Sequence, residues 1–560
     1  MIKRLLLPVI LVGLMANWAE ASPPEIIKVS EIKPGMKGYG LTVFEGTKIE
    51  KFDVEVVAVL KNVGPKSDRI IVRTSHKITD HAPAGIGGMS GSPIYIEGKL
   101  AGALSQFFKY FQKDPLHGVT PIEEMLKELE RPIEGEGSFQ PPQGFFGQTC
   151  SLPLFFAGFY PQVINDVKDK FEEFGFHCMQ GGGGTAAGEN MDIKLEPGSA
   201  VGLEFVRGDL NMISGGTVTY VDGDKVLIFG HPMSMWGEIS IPMTTAYVNM
   251  VIASYERSDK SMSIIKPVGT LTQDRGSCVV GLLGKDPAMI PVKITTNNQK
   301  TQYQNTYNVE ILNQKNLFPL LLLRCVIYSI VYGETIEQGD ATVKLNLEFK
   351  LKDGETVKLD NLYATQGGYN DLLMNLAPQL MQLLNNPFKK IEIAGVTVDI
   401  SVLHKRKDAS IQSVWLNKTE AKGGETVTVN VLLKPFGQPP VKKEVNLKIP
   451  ENMMAGEFEI TVACGREATA KLPKPETFEG LISLIKRSYA SNLIVAQLDL
   501  PSAGITFKGR EMPHLPASVF GTLISNTATG VTIEQDSLKI QADSEWVITG
   551  SKTVTIKIKD

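Results

Sequence analysis

The clearest patterns along the chain have a period of two. Across residues 26–74, Phe52, Val54 and Val56 alternate with Asp53 and Glu55, and Ile70-Ile71-Val72 forms a β-branched run. Such alternation sends successive side chains to opposite faces of a strand, so this segment predicts half-buried β structure. Pro34-Gly35 and Gly38-Tyr39-Gly40 punctuate it as turns. A strand through Ile94-Tyr95-Ile96 then meets a turn at Glu97-Gly98-Lys99 and a second strand over 100–104. A helix is predicted over 121–129. Pro121 suits its first turn, and Glu123 and Glu124 suit the positive end of its dipole.

Residues 131–190 read as a connector. Pro141 and Pro142 open it, a charged amphipathic helix lies over 163–174, and four glycines at 181–184 close it. A glycine run can cradle phosphate, but no Gly-Lys-Ser/Thr follows and no helix begins there, so the run reads as a joint. The β pattern returns over 191–300. Thr217-Val218-Thr219-Tyr220-Val221 and Val226-Leu227-Ile228-Phe229 flank Asp222-Gly223-Asp224, a strong hairpin signal. Residues 301–404 mix strands with helices, and Leu372, Leu373, Leu376, Leu380, Leu383 and Leu384 have helical spacing. Residues 405–473 predict a small Ig-like β-sandwich, with alternation at Val427, Val429 and Val431, at Val445, Leu447 and Ile449, and at Phe458, Ile460 and Val462. Residues 474–560 predict a further β-rich domain behind a helix over 478–487. These carboxyl-terminal parts carry no chemistry of their own and read as spacer or docking modules.

Composition narrows the field. With 57 Lys+Arg against 61 Asp+Glu and no basic block, the chain lacks the electrostatic footprint of a nucleic-acid binder. The amino terminus has Lys3 and Arg4 before an apolar core over 5–15, then Ala19-Glu20-Ala21. This pattern predicts a signal peptide over 1–21 and export to the periplasm or cell surface. The most apolar later segment, 317–332, is interrupted by Pro319 and Arg324, so it predicts a buried helix rather than a membrane span. Cysteines stand singly at 150, 178, 278, 325 and 464, with no CxxC pair and no zinc spacing, and read as buried apolar residues. Neither a metal nor a cofactor is expected.

Chemistry concentrates in Gly88-Met89-Ser90-Gly91-Ser92-Pro93. Small residues on both sides of a serine let the backbone turn tightly and point two N–H groups at one spot. Acyl transfer needs that arrangement: the hydroxyl attacks a carbonyl, and the amides of Gly88 and Ser90 can form the oxyanion hole. With Gly98-Lys99 and Gly102-Ala103 behind it, this stretch resembles the serine motif of the SpoIVB peptidase family and, more loosely, the Gly-Asp-Ser-Gly-Gly-Pro of chymotrypsin-like peptidases. Lys77-Ile78-Thr79-Asp80 and Gly85-Ile86 resemble that family's approach to the serine. His117-Gly118-Val119 with Ile122-Glu123-Glu124-Met125-Leu126 resembles its closing strand and helix. A second resemblance runs from Gly216-Thr217-Val218-Thr219-Tyr220 to Phe229-Gly230-His231, where the family places its catalytic histidine.

The resemblance implies Ser90 as nucleophile, His231 as general base and Asp80 as the carboxylate that orients the imidazole. A serine hydroxyl needs such a base, and imidazole titrates near ~6.5. Ser92 competes for the nucleophile but falls at the second glycine of the chymotrypsin-like pattern. His76 and His81 lack the approach strand that His231 has. Asp80 stands closer to its serine than the family's aspartate does, and Asp274 is the alternative; Asp222 and Asp224 belong to the hairpin turn. The chain order is Asp, Ser, His where the family runs His, Asp, Ser, which is a permutation of two barrel halves. Triads do recur in different chain orders. The sequence shows no PDZ-like insertion, and its carboxyl-terminal extension has no counterpart in the family.

The resulting expectation is a mainly β chain. A chymotrypsin-like double β-barrel is formed by 22–130, which carries the serine, and 191–300, which carries His231. A mixed α/β region, the sandwich and the terminal β domain follow. The expected activity is that of an exported serine endopeptidase acting on protein or peptide substrates, with Tyr95 and Ile96 in the strand and residues 107–111 shaping substrate binding. After signal cleavage the protein would not be integral to the membrane, and its carboxyl-terminal β domains could meet an envelope protein. The alternatives are an inactive scaffold on the same barrel and a peptidase that processes only itself.

Overall fold

The computed structural model describes residues 24–559 apart from 65–66, 109–110, 133–147, 150–151, 183–191, 315–317, 336–339, 365–377, 471–474, 508–509, 513–515 and 526–530. The expected signal peptide, Pro141, Pro142, Cys150, Gly183, Gly184, Leu372, Leu373 and Leu376 lie outside the described residues.

The chain is mainly β. Strands β1 (Lys37–Val43), β2 (Ile49–Gly64), β3 (Ser67–Ser75), β4 (Ile86–Gly87), β5 (Pro93–Ile96), β6 (Lys99–Phe107) and β7 (Leu116–Pro121) come first. Six of them close a ring in the order β5-β1-β2-β3-β7-β6, with β6 pairing back to β5. The two-residue alternation sets the register: Phe52, Val54 and Val56 point inward against Phe44, Ile70, Val72, Ile94 and Val119, while Asp53 and Glu55 stay in solvent. Helix α1 (Ile122–Glu130) closes this barrel, starting directly after Pro121. Its acidic first turn is used structurally, since Glu124 accepts from Ser67 Oγ and from Asp68 N–H.

The expected connector contributes β8 (Gln148–Thr149), β9 (Leu152–Ala157), α2 (Pro161–Glu172) and β10 (Phe176–Gln180), and β9 joins the next sheet. That sheet contains β11 (Ala200–Gly208), β12 (Asn211–Asp222), β13 (Lys225–Ile228), β14 (Gly237–Ile252), β15 (Ser258–Asp274) and β16 (Val279–Leu283). Their pairings form a second cycle, β12-β13-β16-β15-β14-β11, closed by β11 on β12. β12 and β13 are the predicted hairpin, with Asp222 opposite Lys225 across a two-residue turn.

The two cycles pack directly on each other. Tyr95, Leu100, Ala103, Ile122 and Met125 from the first share a buried cluster with Tyr220, Leu227, Cys278 and Val280 from the second. Val43 joins Ala200, Ala246, Val248 and Met262 in another. Strand β4 leaves the first barrel and pairs in parallel with the start of β15, Ile86 opposite Ser258 and Gly87 opposite Asp259.

The second sheet continues from β11 into β17 (Met289–Asn298) and β18 (Tyr303–Leu312), then into strands Ile393–Leu403, Thr342–Leu351 and Thr356–Ala364. Helix α3 (Phe318–Thr335) buries Leu322, Leu323, Val326, Ile327 and Val331 in this core, as the interrupted apolar run predicts. Among the described residues no helix is long and apolar enough to cross a membrane. Cys278, Cys325 and Cys464 are buried and Cys178 is half-buried.

Beyond residue 404 the pairings cross the expected boundary at 473/474. Val547–Thr549 pairs with Asp408–Leu416, and Ser551–Lys559 pairs with Gly456–Cys464. One core holds Val427, Val429, Val431, Leu447 and Ile460 together with Ile494, Leu498, Ile556 and Ile558. Both stretches therefore bury their apolar faces against each other.

Candidate active site

The serine loop is wedged between the first barrel and the second cycle of strands. Gly88 and Gly91 have φ of +91° and +94°, a region that costs an L side chain about 1–2 kcal/mol. An ideal Cβ on Gly91 would stand 2.0 Å from Thr217 O and 2.5 Å from Phe229 N, so only a glycine lets the loop lie this close to β12 and to the end of β13. The loop is held by its carbonyls. Thr217 N–H donates to Ser90 O at 2.9 Å, Thr217 Oγ1 donates to Gly88 O at 2.8 Å, and Thr219 Oγ1 donates to Gly91 O at 2.7 Å. On the first-barrel side Gly91 N–H donates to Leu104 O, and Leu104 N–H donates to Ser92 O.

The two serines differ in what they do. Ser92 Oγ donates to Met89 O at 2.7 Å and so belongs to the turn. Ser90 is 1 % exposed, and its Oγ has no hydrogen-bond partner among the described residues. None of the described hydrogen bonds uses the Ser90 N–H either. A buried hydroxyl left unpaired costs about 1–3 kcal/mol, so the fold holds this group in reserve at a cost.

His231 stands two residues after Phe229, the residue whose N–H abuts Gly91. Its loop is pinned to the first barrel as well: Thr120 Oγ1 donates to Gly230 O at 2.6 Å, and an ideal Cβ on Gly230 would stand 2.7 Å from Ala103 Cβ. The imidazole is buried, with the Phe229 ring stacked beside it at 5.8 Å. Its Nδ1 lies 2.7 Å from Pro232 O. A carbonyl can only accept, so Nδ1 carries the hydrogen and Nε2 carries the lone pair. Nε2 has no partner. Burial pulls this histidine down to about 4; its bond to Pro232 opposes the shift and the nearby Arg69 guanidinium assists it. At neutral pH it is a neutral imidazole with a free acceptor nitrogen, the form a general base requires.

The loops that carry Ser90 and His231 approach through Gly91 and Phe229, and no described hydrogen bond joins Ser90 Oγ to the imidazole. Asp80 lies on a single 3₁₀ turn, Thr79–His81, where its carboxylate accepts from His76 N–H and Ser75 Oγ. No described hydrogen bond links it to His231. Asp274 is buried at the end of β15 and accepts from the N–H groups of Met233, Ser234 and Trp236, so it anchors the loop that follows His231. Burial pushes this carboxyl up, against the pull of those three donors. His76 stacks on Phe44, outside this arrangement. Tyr95 and Ile96 are buried in β5, Phe107 is buried, and Phe111 is exposed.

Three residues without a catalytic role in the sequence reading stand out. Thr217 and Thr219 face the loop from alternate positions of β12, and their period-two spacing was the available signal. His117 is buried, bonded to Thr74 Oγ1 at 3.4 Å, and its Nε2 would stand 3.3 Å from a Cβ on Gly85. Among the described residues no group of three or more His, Cys, Asp and Glu converges on a metal site.

A glycine-flanked serine clasped between two β cycles defines a class of arrangement, and the comparisons with known proteins agree on its first half. Residues 13–126 match the family model of the SpoIVB peptidase S55, a family of serine peptidases. The match takes in Asp80 and Ser90 but ends well before His231 and spans less than half of the chain. No curated protein and no solved structure matches the chain.

Proposed function

We propose that the chain is an exported serine endopeptidase that cleaves peptide bonds through an acyl-enzyme on Ser90. The observation that supports this reading is that two buried groups, Ser90 Oγ and His231 Nε2, have no hydrogen-bond partner among the described residues and stand on loops that approach through Gly91 and Phe229. Ser90 Oγ attacks the scissile carbonyl while its proton passes to Nε2. The oxyanion is held by Ser90 N–H and Gly88 N–H. Collapse breaks the C–N bond, and the leaving amine takes the proton from Nε2. Water then repeats the sequence on the acyl-enzyme, returning the proton to Ser90. Catalytic hydrogen bonds that are open without substrate tighten when it binds, which is the closure required between Oγ and Nε2.

The third carboxylate has two candidates. Neither bonds the imidazole, whose Nδ1–H is held by Pro232 O: Asp274 supports the backbone that follows His231, and the bonds of Asp80 are local. Secretory patterning at residues 3–21 supports export. Fluorophosphonate labelling tests the whole reading. Stoichiometric modification of Ser90 that disappears in His231→Ala supports the enzyme. A folded wild-type chain that resists the probe supports the inactive scaffold instead. Fragment patterns of wild type beside Ser90→Ala separate a general peptidase from one that cuts only itself.

A further inference from the structure

Lys260 is the most unusual charged residue outside the proposed triad. It lies on β15 within a sequence, Ser258-Asp259-Lys260-Ser261, that reads as polar, yet its side chain is fully buried. Its neighbour Asp259 is already paired, with Arg257 at 3.2 Å. Among the described residues Lys260 itself has no carboxylate partner. Its Nζ donates to Thr42 Oγ1 on β1 at 2.6 Å and lies 6.0 Å from the Phe44 ring. A lysine buried without a counter-ion is costly, and burial alone brings this one down to about 7.

Position gives the cost a purpose. The stem of Lys260 runs beneath the serine loop, since an ideal Cβ on Gly88 would stand 3.3 Å from both its Cβ and its Cδ. Thr42 Oγ1, the group it holds, lies 3.5 Å from Thr217 Oγ1. Thr217 in turn donates through Oγ1 to Gly88 O and through N–H to Ser90 O. Lys260 supplies the hydrogen to Thr42, so the Thr42 oxygen stays an acceptor toward it and the Thr217 hydroxyl hydrogen stays committed to Gly88. The chain Lys260–Thr42–Thr217 thereby fixes the donor that orients the Gly88 carbonyl.

We propose that Lys260 is a positioning residue for Ser90, acting through Thr42 and Thr217 to hold the Gly88 and Ser90 carbonyls toward β12 and so leave the Ser90 N–H and Oγ free for substrate. This rests on the peptidase reading of Ser90. Lys260 does not touch the reacting atoms; it sets the conformation of the loop that carries them.

The test is the fluorophosphonate labelling rate of the full chain, with saturation kinetics that separate probe binding from the covalent step. In Lys260→Met the covalent rate constant should fall by ~100-fold, the size of effect seen when reacting groups are misplaced by about 1 Å, with half-saturation unchanged. The melting temperature should hold or rise, because an uncompensated buried charge has been removed. A merely structural lysine would lose stability and reactivity together. Thr42→Val should reproduce the kinetic loss, Thr42→Ser should restore the rate, and the Lys260→Met/Thr42→Val pair should be no slower than either single variant. Labelling of Lys260→Met at the wild-type rate overturns the proposal; if that variant does not fold, Thr42→Val decides on the same terms. If the wild-type serine does not label at all, the peptidase reading fails separately. Amide hydrogen exchange over residues 88–91 then decides the positioning role: faster exchange in Thr42→Val upholds it, and unchanged exchange ends it.

Discussion

Alanine at Gly91 would push one methyl group into the seam between the barrels. The new Cβ would stand 2.0 Å from Thr217 O and 2.5 Å from Phe229 N, both backbone atoms of the second cycle, and no rotamer change relieves either contact. The backbone at Gly91 sits at φ +94°, which adds about 1–2 kcal/mol for an L side chain. Forcing an extra group into a filled interior adds about 1–3 kcal/mol more. The expected cost is therefore about 2–5 kcal/mol. Gly98 supplies the control, because it has φ +81° and nothing within 4 Å of its ideal Cβ. Gly98→Ala should cost only the conformational part. The assay is thermal or urea unfolding of both variants beside wild type, with fluorophosphonate labelling in native buffer. Gly91→Ala should be destabilised by about 1–3 kcal/mol more than Gly98→Ala, and its Ser90 should label far more slowly because Thr217 and Phe229 have been displaced. Equal stability of the two variants would refute the seam contact. Normal labelling of a destabilised Gly91→Ala would refute the dependence of Ser90 on that seam.

Other expectations follow from the same geometry. Ser92→Ala removes the turn bond to Met89 O and should cost about 1 kcal/mol while labelling persists, whereas Ser90→Ala should abolish labelling with no loss of stability, because its buried hydroxyl has no bond to lose. His231 must be neutral to accept a proton, and burial brings it down to about 4. The labelling rate should therefore hold from pH 7 to about 5 and fall only near pH 4; a fall centred on the ordinary 6.5 would contradict a buried base. His117 is also brought down to about 4 by burial. Both histidines bind protons more readily unfolded, so their stabilising contribution is complete above pH 6.5 and lost as pH falls toward 4. Melting temperature measured across that window should decline, and less steeply in His117→Gln. Asp274→Ala strands three buried N–H groups and should cost at least about 3 kcal/mol and slow labelling, while Asp80→Ala should stay within about 1 kcal/mol by urea unfolding.

Much of this fold was readable because its signals are local. Phe52, Val54 and Val56 fell on the inner face of a strand as their spacing required, and Asp222-Gly223-Asp224 turned a hairpin. The serine motif was readable for the same reason: glycines next to Ser90 allow left-handed backbone whatever surrounds them. Ser92 was separable from Ser90 by motif, but its bond to Met89 O appeared only in the folded turn. The segment 258–261 was opaque. Its four polar residues give no sign that Lys260 lies on the buried face shared with Met262, because that burial comes from β1 and the serine loop, which are distant in sequence.

The sequence by itself determined the β character of the chain, the tight glycine turns and the placing of a glycine-flanked serine on one of them. Each of these depends on a residue and its immediate neighbours. Tertiary structure decided the rest: the meeting of the serine loop with Thr217 and Phe229, the commitment of Asp80 to its own turn and of Asp274 to the histidine loop, and the return of the last strands onto residues 408–464. Most of those outcomes depend on which apolar faces and unpaired backbone groups find each other across tens to more than a hundred residues. No spacing along the chain encodes such a choice.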